Sequence, residues 1–369
     1  MIEKIIGLLF LFCILSVDAL ESENFWDTQE GGALYEKATL LYENIERENA
    51  HTVQVNGITM SYLDFGPKDG MPLIWAHGSG SSGYEILNVK EGLVEAGYRI
   101  IAIDYRGHGK TQVPITGFNT SLYHVADDIA CLLDQLSIQR AVIGGLSKGG
   151  FIAAAFYDEY PERVLGLLLE DGGSWSHLKR NDELYLADGA TKYELIRDWV
   201  SVVSAEYNSK FDAFKAVASA YGFPFEATPT PESTVMILAM VTDKQNEKWM
   251  HNVDVNKLMV GDGSAYRDRV YSKVPMMERS QLMMMPTVVF RNLHVPMHII
   301  DPVSANDSFN VSEQNKALQA QHPALIVHQI YEDTPHVAHI KRPEWFVESA
   351  KDFLKKVKVT PKPSSIKND

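Results

Sequence analysis

Cysteine is nearly missing: the 369 residues hold two, Cys13 and Cys131. Cys13 lies in an N-terminal stretch that reads as a leader, so the remaining chain keeps one thiol and has no internal disulfide to staple it. Stability therefore has to come from a packed core, and Cys131, inside a helix-like run, reads as a small buried hydrophobe. Positive charge is also scarce, with 34 Lys and Arg against 48 Asp and Glu for a formal net charge of −14. That balance argues against nucleic acid and against anionic membrane surfaces as partners. No H-E-x-x-H, paired cysteine cluster or calcium loop occurs, so no metal is expected. The glycines are accounted for by turns, no dinucleotide or phosphate loop is read into them, and no cofactor is expected.

Long apolar runs are missing after the first twenty residues. Met1 to Lys4 carries one lysine, Ile5 to Val17 is almost wholly apolar, and Val17-Asp18-Ala19 supplies small residues for cleavage. Residues 1–19 read as a removed signal peptide, because a run of about thirteen apolar residues falls short of the roughly twenty a spanning helix needs. The expectation is a secreted or periplasmic protein with no stable membrane insertion after cleavage. Loss of Glu3, Lys4 and Asp18 with the leader leaves the net charge at −13.

What is present is an alternation of strand and helix patterns. Thr52 to Val55 and Ile58 to Leu63 flank Asn56-Gly57, a strong hairpin signal. Mostly apolar runs follow at Pro72 to Ala76, Tyr98 to Ile103, Arg140 to Gly144, Val164 to Leu169, Val295 to Ile300 and Leu325 to Ile330. Strands buried on both faces read this way, which predicts a mostly parallel sheet covered by helices. Leu122 to Leu136 and Phe151 to Tyr160 are long enough to be its crossovers.

The expected division is an N-terminal helical extension at 20–50, a core at 51–173 and 293–357, an inserted helical lid at 174–292, and a flexible tail at 358–369. No strand run is visible in the lid, whose Trp175, Trp199, Trp249 and Met283-Met284-Met285 read as its own apolar core, some of them possible lining of a pocket.

At the end of the Arg140 to Gly144 run stands Gly145-Leu146-Ser147-Lys148-Gly149-Gly150, a G-x-S-x-G sequence leading into a helix. A nucleophilic serine belongs on such a strained strand-to-helix turn, where small neighbours let the backbone fold tightly and lift Oγ above the sheet. His77-Gly78-Ser79-Gly80 follows the first parallel strand, and Asp104-Tyr105-Arg106-Gly107-His108-Gly109 follows the next. In this order the three motifs resemble the α/β-hydrolase family, over roughly Thr52 to Leu354 apart from the lid.

The resemblance implies an α/β-hydrolase fold, Ser147 as nucleophile, and an oxyanion hole from the backbone N–H groups of Ser79 and Lys148. Pro335-His336 with Pro343-Glu344 is similar to the family's G-H-x-x-x-x-x-x-P-E, which selects His336 as the base, with His339 as the other candidate. For the acid, the family's loop after the Val295 to Ile300 strand fits Asp307 best; Asp301 and Asp171 are the other candidates. His77, His108, Asp104 and Arg106 read as shapers of turns.

The expected chemistry is acyl transfer on a small carboxylic ester or related acyl substrate. Lactones, thioesters and carbon–carbon bonds are cleaved by the same kind of site, and a ligand-binding protein on this scaffold is the rival from another class. Three N-x-S/T sequons, at Asn119, Asn306 and Asn310, are potential glycan acceptors.

Overall fold

The computed structural model describes residues 25–112, 120–177, 205–224, 229–244, 248–251, 276–304 and 311–359. The leader Met1 to Ala19, Trp199, Asp307, the three sequon asparagines and residues 360–369 lie outside them.

The described chain opens with helix α1, Gln29–Glu48, capped by Thr28, whose side chain accepts the Gly31 N–H at 3.1 Å. Strands β1, Ala50–Val55, and β2, Ile58–Phe65, form the expected hairpin, with Asn56 and Gly57 at φ 41° and 78° as a primed turn demands. Then come β3, Met71–Ala76; α2, Leu87–Glu95; β4, Tyr98–Ile103; α3, Leu122–Gln135; β5, Ala141–Leu146; α4, Lys148–Glu159; and β6, Val164–Glu170. The inserted segment contributes α5, Lys210–Ala220; α6, Pro231–Leu238; a hairpin of β7, Val241–Lys244, and β8, Lys248–His251; and α7, Met276–Met283. The core resumes with β9, Met297–Val303; α8, Ser312–Gln321; β10, Ile326–Glu332; and α9, Pro343–Val359.

One eight-stranded sheet runs in the order β1-β2-β4-β3-β5-β6-β9-β10, antiparallel at β1-β2-β4 and parallel from β4 onward. Successive side chains alternate between its faces. Leu73, Trp75, Tyr98, Ile100 and Ala102 join a cluster under α1, α2 and α9, while Ile74, Ala76, Ile101 and Ile103 join one under α3, α4 and α8. Covering both faces is why these strands read as near-continuous apolar runs.

Two expectations are corrected. The lid is not purely helical: β7 and β8 pair over four residues each, too short for a strand run to stand out. Nor does order end at residue 357, since α9 continues through Lys355 and Lys358 to Val359, its Leu354 and Val357 buried against the sheet. Of the methionine run, Met284 alone is buried; Met283 and Met285 are exposed. Trp175 packs into the core on Phe151, at 5.2 Å between ring centroids.

The insertion and the N-terminal extension are packed together. Trp26 meets Phe214 edge-on at 4.7 Å and stacks on Phe223 at 5.7 Å, and Tyr35 packs on Phe211 and Phe214. The extension thus buttresses α5 from outside. Among the described residues no helix is long and apolar enough to cross a membrane.

Candidate active site

β3, β5 and β6 are neighbours in the sheet, so the turns at their carboxyl ends converge, where open α/β sheets place ligands. Ser147 stands between β5 and α4 at φ 52° and ψ −116°, conformational space that L-residues avoid at a cost of about 1–3 kcal/mol. The strain is held from both sides: Ser147 N–H donates to the Glu170 carbonyl at 2.8 Å, and its carbonyl accepts from Gly150 N–H at 2.9 Å.

The glycines beside it have a steric reason. A Cβ on Gly149 would lie 1.8 Å from the Ala76 carbonyl oxygen and 2.9 Å from that of His77, so only hydrogen lets the elbow rest against the loop after β3. A Cβ on Gly172 would strike the Ser147 carbonyl oxygen at 2.0 Å. The elbow therefore touches both the loop bearing Ser79 and the loop bearing Asp171.

His336 is brought to this edge by the loop after β10. Its Nδ1 lies 2.5 Å from Asp171 Oδ2, and both side chains are largely buried. Asp171 itself has φ 43°, a left-handed conformation that aspartate and asparagine tolerate better than most residues, and its N–H donates to the Ile300 carbonyl at 3.0 Å. The carboxylate on Nδ1 is thus that of Asp171, one of the other two candidates. Asp307 lies outside the described residues, and Asp301 is turned into the sheet, where its Oδ2 accepts from His328 Nε2 at 2.6 Å. His339 is fully buried with both ring nitrogens engaged, Nδ1 by Glu170 Oε2 at 2.8 Å and Nε2 by the Glu85 carbonyl at 3.1 Å.

Ser79 sits in the loop after β3, and Lys148, almost wholly buried, opens α4 directly after Ser147. Around Ser79 the loop is tightly bonded. Gly78 N–H donates to both Glu85 carboxylate oxygens, at 3.2 and 3.1 Å, and the Gly78 carbonyl accepts from Tyr105 hydroxyl at 3.3 Å and from Ser81 N–H at 3.3 Å. His77 Nδ1 is 2.7 Å from the same carbonyl and so must carry its proton there. Burial, with the Lys148 charge nearby, lowers His77 to about 3 and His108 well below the ordinary imidazole range, so both are neutral shapers. The lid reaches this loop too: Tyr221 hydroxyl donates to the Gly80 carbonyl at 3.0 Å and meets His251 Nε2 at 3.0 Å.

Asp104 and Arg106 take the expected turn-fixing places. Asp104 accepts from Gly83 N–H at 2.8 Å and Lys110 N–H at 2.9 Å, and Arg106 is bidentate to buried Asp128. Gly78, Gly80 and Gly83 do have the G-x-G-x-x-G spacing of a dinucleotide loop, which the sequence reading passed over. Here that spacing shapes the Ser79 turn, and the acidic residue after the next strand is committed to backbone N–H groups. Sequence reasoning also missed Glu85 and Glu170, which stand in no motif.

Comparison with known proteins agrees with this architecture. A family model described as alpha/beta hydrolase fold matches residues 71–290. The chain is 36% identical over 115 residues to a non-heme chloroperoxidase of Streptomyces lividans, covering 31% of this chain and 41% of that one. It is 34% identical over 142 residues to a 2-hydroxy-6-oxononadienedioate/2-hydroxy-6-oxononatrienedioate hydrolase of Burkholderia vietnamiensis, covering 38% and 46%. The chain thus spans less than half the length of these relatives. The solved structure of E-2-(acetamidomethylene)succinate hydrolase superposes with a TM-score of 0.61 at 18% identity, over 83% of this chain and 98% of that one. With motifs, sheet order and family model in agreement, the chain belongs to the α/β-hydrolase fold family.

Proposed function

We propose that this protein is an exported serine hydrolase that cleaves a small carboxylic ester through Ser147, His336 and Asp171. The observation that carries the reading is the 2.5 Å contact of His336 Nδ1 with Asp171 Oδ2 beside the strained Ser147 turn. A carboxylate on Nδ1 fixes the tautomer with the proton there and makes Nε2 the nitrogen that acts as a base. His336 takes the Ser147 hydroxyl proton as Oγ attacks the ester carbonyl. The developing oxyanion is received by the N–H groups of Ser79 and Lys148, each typically worth about 3–4 kcal/mol in the transition state. His336 then protonates the departing alcohol, and water, activated the same way, releases the acid and restores Ser147. The serine at 147 supports this reading over an aspartate nucleophile.

The test is labelling with a fluorophosphonate probe, read by intact mass, beside hydrolysis of short p-nitrophenyl esters. Wild type takes up one probe and turns over ester; Ser147→Ala loses the label and about a millionfold in rate. Label that persists in Ser147→Ala, or a wild type that neither labels nor hydrolyses, overturns the proposal.

A further inference from the structure

Three acidic and basic side chains lie buried behind the site with no part in proton transfer to substrate. Glu85 and Glu170 carry carboxylates in the apolar interior, and His339 has an imidazole between them, all at 2% exposure or less. Burying such groups is costly unless their bonds are complete, and here they are nearly so. Glu170 Oε1 accepts the His339 backbone N–H at 2.9 Å and Oε2 pairs with His339 Nδ1 at 2.8 Å. His339 Nε2 donates to the backbone carbonyl of Glu85 at 3.1 Å. With an acceptor on each ring nitrogen His339 is an imidazolium, and the two nearby carboxylates raise its pKa against the effect of burial. The Glu85 carboxylate takes Trp75 Nε1–H at 3.1 Å and Gly78 N–H with both oxygens.

Each end of this chain of bonds stops one peptide short of a reacting group. At one end, Glu170 gives its carbonyl to Ser147 N–H and is followed directly by Asp171, the partner of His336. At the other, Gly78 is held on both sides, its N–H by Glu85 and its carbonyl by the Tyr105 hydroxyl and Ser81 N–H; that carbonyl shares a planar trans peptide with the Ser79 N–H, so pinning both groups of Gly78 sets the direction of the Ser79 N–H. In the middle, His339 stands three residues after His336 and ties that loop to both ends.

We propose that Glu85, His339 and Glu170 are positioning residues that hold the Ser79 N–H and the His336 loop in register with Ser147. The inference rests on the serine-hydrolase reading above and extends it to what sets the geometry of the oxyanion hole. A misaligned N–H lowers transition-state binding without touching ground-state binding, so the loss falls on kcat.

The experiment replaces Glu85 by Leu, which keeps the bulk and removes the acceptor, and by Gln, which keeps an oxygen for Trp75 and Gly78. With short p-nitrophenyl esters, Glu85→Leu should lose about a hundredfold in kcat with KM within about threefold, and slow fluorophosphonate labelling in parallel. Glu85→Gln should recover to within about fivefold of wild type. Should Glu85→Leu lose its cooperative thermal transition, Tyr105→Phe, which removes a donor to the Gly78 carbonyl in the peptide that carries the Ser79 N–H, carries the test with about a tenfold fall in kcat at constant KM. Wild-type kcat in the variant that folds, or a loss entirely in KM, overturns the positioning role. Failure of the underlying reading is distinguishable, because then wild type itself takes no label at Ser147.

Discussion

Replacing Asp171 by Asn separates the competing acids most cleanly. Asparagine has nearly the size of aspartate and tolerates the left-handed backbone that φ 43° imposes, so Asp171→Asn should fold normally; alanine would add about 1–2 kcal/mol of backbone strain and confuse the result. The 2.5 Å bond to His336 Nδ1 changes character: an amide NH2 aimed at that nitrogen favours the tautomer with the proton on Nε2, where Ser147 needs an acceptor. In Ser-His-Asp units this change costs about ten-thousandfold in kcat, about 5.4 kcal/mol of transition-state stabilisation. The assay is ester hydrolysis near pH 7.5 with thermal unfolding run beside it, and the expected result is a kcat about 10⁴ lower at unchanged melting temperature and similar KM. Asp301→Asn is the internal control, because its carboxylate pairs with His328 inside the sheet and its loss should lower stability while leaving kcat within about threefold. If Asp307→Asn shows the large loss and Asp171→Asn is nearly normal, the assignment of the acid to Asp171 is refuted.

Two further outcomes follow from burial. His298, at 3% exposure and bonded to Gln329, is lowered to about 4 by desolvation. Its folded value lies below the unfolded one near 6.5, so its share of stability is present above pH 6.5 and is lost as pH falls toward 4; by pH 5 that loss is about 2 kcal/mol. His298→Gln should therefore lose less stability than wild type between pH 7 and pH 5 in urea unfolding, and parallel pH slopes would contradict the account. Gly149→Ala places a methyl against the Ala76 carbonyl oxygen, which backbone cannot vacate cheaply, so kcat should fall at least a hundredfold with a lower melting temperature; a fully active Gly149→Ala would mean the elbow is looser than its packing implies.

Physical reasons separate what was legible in the sequence from what was not. The strands of the sheet could be read because burial on two faces leaves a near-continuous apolar run, as in Ile100 to Ile103, and the Asn56-Gly57 turn because left-handed φ selects those residue types. Ser147 and its glycines could be read because the elbow is a local device, built from neighbours in the chain. β7 and β8 could not, since strands of four residues lack a period, and neither could the last two residues of α9, Lys358 and Val359, which carry no apolar stripe of their own.

The acid is the instructive case. Asp301 lies near the end of β9 and Asp171 directly after β6, neighbouring strands that run to the same edge of the sheet, and a strand pattern does not tell which way either carboxylate turns. Asp171 meets a histidine 165 residues away, a pairing settled only in three dimensions. A local trace of it does exist: Asp171 precedes Gly172 and Gly173, and Gly172 is bare because its Cβ would strike the backbone of Ser147. A residue forced to glycine by the nucleophile's own backbone marks the residue before it as the nucleophile's neighbour, so Asp-Gly-Gly at the end of the strand beside an elbow is itself an argument for the acid. The same turn separates Asp171 from Glu170, one residue earlier at the end of β6, whose side chain reaches His339 while Asp171 reaches His336. Two adjacent carboxylates, one closing β6 and the next in the left-handed turn after it, thus meet two histidines three residues apart, one at the edge of the sheet and one behind it.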